Sequence, residues 1–309
     1  MNPYVSVIIP IFNRTEMGLR AVRSVLSQSF RDFELIVVND GSTEDLSQLR
    51  DFVERSNGFF IEQSNNGVAA ARNAGAETAR GRWLAFLDSD DAWEKRKLDA
   101  QVLFAKANPA IQICQTEESW IRRGKFVNQK LIHQKPEGEA FFQSLKLCCI
   151  SPSSVMLTKR LFDESGGFDE DMRVCEDYDL WLRITMHHAV GLIREPLVVK
   201  YGGHHDQLSR SVPAMDRFRI YALLKISHAA GLTNCQRRAV YEEIAAKCRI
   251  LINGATRRGN SAVASLYGDV LASMERQLGA ETFALDPFDN LSERLRHSLL
   301  NLNYGPTRC

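Results

Sequence analysis

The 309 residues carry a net charge of +1 and 44% hydrophobic content, enough for a sizeable core and too balanced for chain-wide attraction to nucleic acid. No apolar run approaches the ~20 residues that span a bilayer, and Met1 to Arg14 lacks the basic start and cleavage site of a signal peptide, so a cytoplasmic location is expected. The seven cysteines are odd in number and lack metal-type spacing, which favours reduced thiols over a disulfide framework or a zinc site.

Val5 to Ile9 reads as a β-branched strand closed by Pro10, and Glu16 to Ser27 has helical spacing through Leu19, Val22 and Leu26. A second strand, Phe33 to Val38, ends in Asn39-Asp40-Gly41-Ser42. Thr43 to Arg55 then reads as a helix, Phe59 to Ile61 as a weak strand, and Gly67 to Thr78 as a small-residue helix. The next strand, Arg82 to Leu87, stops at Asp88, Asp90 and Asp91. Carboxylates this close raise one another's pKa unless a cation sits among them. The same acids also suit the cap of a helix starting near Glu94. Strands and helices alternating at this spacing predict a mostly parallel, doubly wound α/β sheet, whose ligands bind beyond the carboxyl ends of its strands. Pro10 to Arg14, Asp40 to Ser42 and Asp88 to Asp91 all fall at such ends.

Beyond Ala110 the alternation loosens. Ile111 to Cys114 is strand-like, Trp120 to Val127 reads as a hairpin turning near Gly124, and Glu139 to Leu147 is helical. Glu176-Asp177 opens a helix whose N-terminus favours an ionised carboxylate, the form a general base requires. Trp120 and Trp181 are candidates for stacking on a ligand ring, with the core the favoured place for Trp181. A strand, Leu197 to Lys200, precedes Tyr201 to Ser209. From Arg210 onward four helices are expected: Met215 to Ala230, Asn234 to Arg258, Ser261 to Leu278 and Asn290 to Leu302. This region holds 14 Lys and Arg against 9 Asp and Glu, which suits either an anionic bilayer surface or the solvated face of a helical bundle.

Taken together, Ser6 to Arg14, Ser27 to Phe30, Val37 to Thr43, Asn65 to Asn73 and Phe86 to Asp91 resemble the motifs of family 2 glycosyltransferases of the GT-A fold, in the family's order. Looser similarity continues through Gly166 to Asp169, Glu176-Asp177 and Tyr201 to Ser209. The resemblance implies a GT-A domain over 1–209, with a nucleotide-sugar half at 1–109 and an acceptor and catalytic half at 110–209, followed by a helical region at 210–309. It implies an inverting transfer from a nucleotide-diphosphate sugar, UDP-linked by expectation, to a glycan or lipid-linked acceptor in cell-surface glycan synthesis. The alternative is a non-catalytic scaffold of the same fold that binds nucleotide sugars or glycans.

Residue by residue, the resemblance assigns Asp40 to the base, Phe12 alongside it, Arg14 and Arg72 to the diphosphate, and Asp88 to the ribose side. Pro10, Asn66, Gly67 and Ser89 fall in the same donor-binding motifs. Asp90 is matched to a Mg²⁺ or Mn²⁺ ion, with His204 as a second ligand or phosphate contact, and Asp177 to the general base. Gly202 stands where the family commonly has an arginine. The expected partners are the donor, the acceptor and a peripheral membrane contact through the basic C-terminal helices, with no nucleic acid.

Overall fold

The computed structural model describes residues 2–203, 212–280 and 289–300. Its first half is built from β1 (Val5–Ile11), α1 (Thr15–Leu26), β2 (Phe33–Asp40), α2 (Ser47–Arg55), β3 (Phe59–Gln63), α3 (Val68–Thr78) and β4 (Trp83–Phe86). These strands lie in the order β3-β2-β1-β4 and all pair in parallel. Both faces of β1 are covered, so its side chains divide by parity. Val5, Val7, Ile9 and Ile11 join one core with Leu19, Val22 and Leu49, while Ile8 joins a second with Ala71, Ala76 and Trp181. That division explains why β1 reads as a continuous apolar run.

Beyond β4 the chain forms β5 (Ala92–Trp93), α4 (Lys97–Ala107), β6 (Ile113–Arg122), β7 (Lys125–Val127), α5 (Phe141–Lys146), β8 (Val155–Thr158), α6 (Lys159–Glu164), α7 (Glu176–Thr185) and β9 (Val190–Gly202). The sheet continues from β4 as β8-β6-β9-β5, but its pairing is mixed. β8 is antiparallel to both β4 and β6, and β9 is parallel to β6. The reason lies at the carboxyl end of β4, where Ser153 Oγ accepts a hydrogen bond from the Asp88 N–H at 3.1 Å. β8 therefore starts beside that end and runs back along β4. β6 merges the expected strand near Ile113 with the first arm of the hairpin, which turns through Arg123 and Gly124 at φ 50° and 75°, the left-handed pair of a two-residue hairpin loop.

Four helices follow: α8 (Asp216–Ser227), α9 (Asn234–Arg257), α10 (Ser261–Gly279) and α11 (Asp289–Leu300). α9 opens with Thr233 and Gln236 capping each other reciprocally. Ile220, Leu223, Tyr241 and Ile244 of these helices share one core with Phe141 of α5 and Tyr178 and Leu182 of α7. The helical region thus backs the element that opens with Glu176 and Asp177. Among the described residues no helix is long and apolar enough to cross a membrane.

Candidate active site

A cleft of about 380 Å³ opens at the carboxyl ends of β1 and β4, bounded on the far side by the start of α7 and by β6 and β9. Two backbone distortions aim side chains into it. Asn13, just past β1, is left-handed at φ 51°, a conformation asparagine tolerates, and its side chain accepts from the N–H groups of Thr43 and Glu44 at 2.7 and 3.1 Å. The chain leaves this turn with Arg14 facing the cleft. Cys175, also left-handed at φ 62°, starts α7; such strain in a residue other than glycine concentrates at functional sites.

At the end of β4, Asp88, Asp90 and Asp91 present carboxylate oxygens within 4.8 Å of one another. Each has a cation beside it. Arg72 contacts Asp88 at 2.7 Å, Arg14 contacts Asp90 at 3.3 Å, and Lys200 approaches Asp91 at 3.7 Å. Ser153 ties the loop together, donating to Asp91 at 2.6 Å while its carbonyl accepts from the Trp93 indole at 2.8 Å. Burial pushes the Asp91 carboxyl up to about 8, with the charges of Asp90 and Asp88 adding to the rise against Lys200. Burial works against a proton on Lys200, but Asp91, Glu118, Asp88 and Asp90 hold it there firmly. The partly exposed Asp88 and Asp90 suit a Mg²⁺ or Mn²⁺ ion, which takes oxygen donors and often only one or two protein carboxylates.

Across the cleft, Arg72 reaches Glu176 at 2.6 Å, so one buried guanidinium joins the end of β4 to the start of α7. Burial raises the Glu176 carboxyl to about 7, with the charge of Asp177 adding to the rise and Arg72 opposing it. Asp177 is partly exposed and lines the cleft. One of its oxygens accepts from the Tyr178 N–H at 2.7 Å, the other from the Cys148 thiol at 3.3 Å. Burial and the neighbouring Asp177 carboxylate keep that thiol protonated. Behind this wall, Glu118 pairs with Lys135 at 3.1 Å and accepts from Ser151 and Trp120.

Pro10, Arg14, Arg72, Asp88, Ser89, Asp90 and Asp177 therefore line one cleft. Asp40 lies elsewhere: it is fully buried, and its carboxylate accepts from Gln63, Asn65 and the N–H groups of Asn66 and Gly67 at 2.7 to 3.2 Å. It holds the loop between β3 and α3, where Gly67 takes φ 93°. Phe12 packs against Val68 beneath the floor. Trp181 is core, as favoured, whereas Trp120 lines the cleft. His204 falls outside the described residues. Sequence reasoning passed over Lys200 and Cys148, and took Glu176 for a helix-opening acid; the lysine ending an apolar strand was the one available signal.

The family model described as Glycosyl transferase family 2 matches residues 6–166, more than half of the chain. The chain belongs to glycosyltransferase family 2. A Rickettsia felis protein described as an uncharacterized glycosyltransferase is 36% identical over 195 residues, 62% of this chain and 32% of its own length; the chain thus spans about a third of that relative. The Escherichia coli protein named UDP-Glc:alpha-D-GlcNAc-diphosphoundecaprenol beta-1,3-glucosyltransferase WfaP is 31% identical over 58% of this chain and 69% of that protein. Among solved structures, Staphylococcus aureus TarS 1–349 in complex with UDP-GlcNAc matches with a TM-score of 0.65 at 16% identity, covering 88% of this chain and 92% of that one. The mannosyltransferase PcManGT from Pyrobaculum calidifontis, in complex with GDP-Man and Mn²⁺, gives 0.59 at 14% over 91% and 88%. The fold of this family 2 member is GT-A, followed by C-terminal helices.

Proposed function

We propose that the chain is an inverting glycosyltransferase that moves a sugar from a UDP-linked donor to a hydroxyl of a glycan or lipid-linked acceptor in cell-surface glycan synthesis. The observation that carries the reading is that Asp177, at a helix N-terminus, and the acidic end of β4 line one cleft, with Arg72 joining the two sides. Asp177 takes the proton of the acceptor hydroxyl, and the oxygen attacks the anomeric carbon as the bond to the diphosphate breaks. The bonding electrons leave with the diphosphate, beside Arg14, Arg72 and Lys200. Asp90, with Asp88 next to it, would hold Mg²⁺ or Mn²⁺, which when bound supplies Lewis-acid neutralisation of the leaving group. The UDP donor is supported by the donor in the name of the Escherichia coli relative and by the ligand of TarS, and the metal by the ion bound to PcManGT.

The test is a panel of UDP-glucose, UDP-GlcNAc and GDP-mannose, each with and without Mn²⁺, read by thermal shift and by release of nucleoside diphosphate. Metal-dependent stabilisation and release with one UDP-sugar is expected, with the response to Mn²⁺ lost in Asp90→Ala. Binding without release, with acceptor extracts present, would instead mark a non-catalytic scaffold.

A further inference from the structure

The segment between β6 and α5 projects apolar side chains into solvent that a chain folding for itself alone would cover. Phe126 on β7 is 80% exposed, and Leu131 and Ile132, in the short turn that follows, are 90% and 66% exposed. Single exposed apolar residues are ordinary; three large ones within seven positions are not. The charge around them has one sign. Arg122, Arg123, Lys125 and Lys130 are all exposed, and no Asp or Glu occurs from Ser119 through Pro136.

The segment is built, not dangling. β7 pairs with β6 through Ile121 opposite Phe126, Gln129 donates to the Glu118 carbonyl at 2.7 Å, and the rings of Trp120 and His133 lie 5.1 Å apart. It also borders the cleft. Trp120, Ile121 and Arg122 line it, and the Ile132 carbonyl accepts from Cys149, the neighbour of the Cys148 whose thiol touches Asp177.

We propose that the hairpin and turn from Arg122 to Ile132 form a docking surface for an anionic lipid bilayer, set beside the acceptor side of the cleft. Apolar side chains inserted among the head groups, with a ring of Lys and Arg facing lipid phosphates, is the pattern of interfacial binding. The C-terminal helices, basic in composition, lack the apolar half of this pattern: among their described residues Ile250 is the large exposed hydrophobic. The surface stands without the sugar-transfer reading. Only its consequence, that a lipid-linked acceptor would meet Asp177 at head-group level, rests on it.

The test is sedimentation of the full chain with vesicles of phosphatidylcholine alone or mixed in equal parts with phosphatidylglycerol, at low and high salt. Binding to the mixed vesicles that weakens with salt is expected. F126S combined with L131S should lower the partition coefficient by about 10-fold or more, and K125E combined with K130E should lower it comparably and remove its salt dependence. Thermal melting and UDP binding should be unchanged in both variants, which separates a failed surface from a failed fold or a failed donor site. Wild-type chain that ignores mixed vesicles, or variants that bind like wild type, would overturn the proposal. So would concentration-dependent self-association abolished by F126S and L131S, because the face would then cover a second copy.

Discussion

At Arg72 a guanidinium whose side chain is 4% exposed touches Asp88 and Glu176, and truncating it strands two carboxylates in the protein. Breaking a buried pair from one side costs about 3–5 kcal/mol, so Arg72→Met is expected to lower the urea midpoint by that equivalent; an unchanged midpoint would contradict the bridge. Arg72→Lys should fall between, because a single ammonium does not reproduce the two-pronged contact. Glu118 makes a pH prediction. Burial alone would raise its carboxyl, but Lys135 and Lys200, with hydrogen bonds from Ser151 and Trp120, lower it to about 2 from an ordinary 4.5. Since the unfolded chain then binds the proton more readily, the stabilisation is complete above pH 4.5 and is lost as pH falls towards 2. Glu118→Gln, which takes the carboxylate away from Lys135, should be destabilised at neutral pH, with the gap to wild type closing through that window in acid titrations of stability. A gap independent of pH would contradict the ionised pair.

Among the elements, α3 packs on β1 through a glycine with no room to spare. A Cβ at Gly75 would stand 2.5 Å from Ile8 Cγ2 and 3.3 Å from Val38 Cγ2, both β-branched residues in buried strands. Alanine favours the helix by about 1 kcal/mol over glycine, but overpacking costs about 1–3 kcal/mol. Gly75→Ala should therefore be net destabilising in thermal melts, and a stabilised variant would show that α3 shifts freely. The same contrast between local and distant causes explains what was legible in the sequence. The parallel half was readable because its β-branched runs and turn residues are local signals. The reversal at β8 was not, since it depends on Ser153 meeting Asp88 across 65 positions. Nor was the partner of Glu176, which lies 104 positions away at Arg72. The acids at the end of β4 were visible as a cluster, whereas Lys200, their third cation, arrives on β9, which pairs with β5 through Val199 opposite Ala92. Asp40 was legible as a strand-end acid, but donors to its carboxylate come from residues 63–67.

For the whole molecule, the shared core makes the C-terminal helices part of the support for α7. Lys225 of α8 reaches Asp179 at 2.8 Å and Lys247 of α9 donates to the Lys146 carbonyl at 3.1 Å, around the buried Tyr178 and Leu182. Ending the chain at Ser209 would expose that apolar face, so 1–209 is expected to aggregate or to melt well below the full chain. A soluble 1–209 with an undiminished melting temperature would show instead that α7 needs no backing. The proposed role of Asp177 in taking the acceptor proton is tested by Asp177→Asn, which keeps shape and hydrogen bonding but removes the base. One preparation should be read for transfer rate, donor affinity and melting temperature. Transfer should fall by about 10²–10⁴-fold, with donor affinity and melting temperature close to wild type. Near-normal transfer by a variant with depressed stability would contradict it, leaving Asp177 as a structural start to α7.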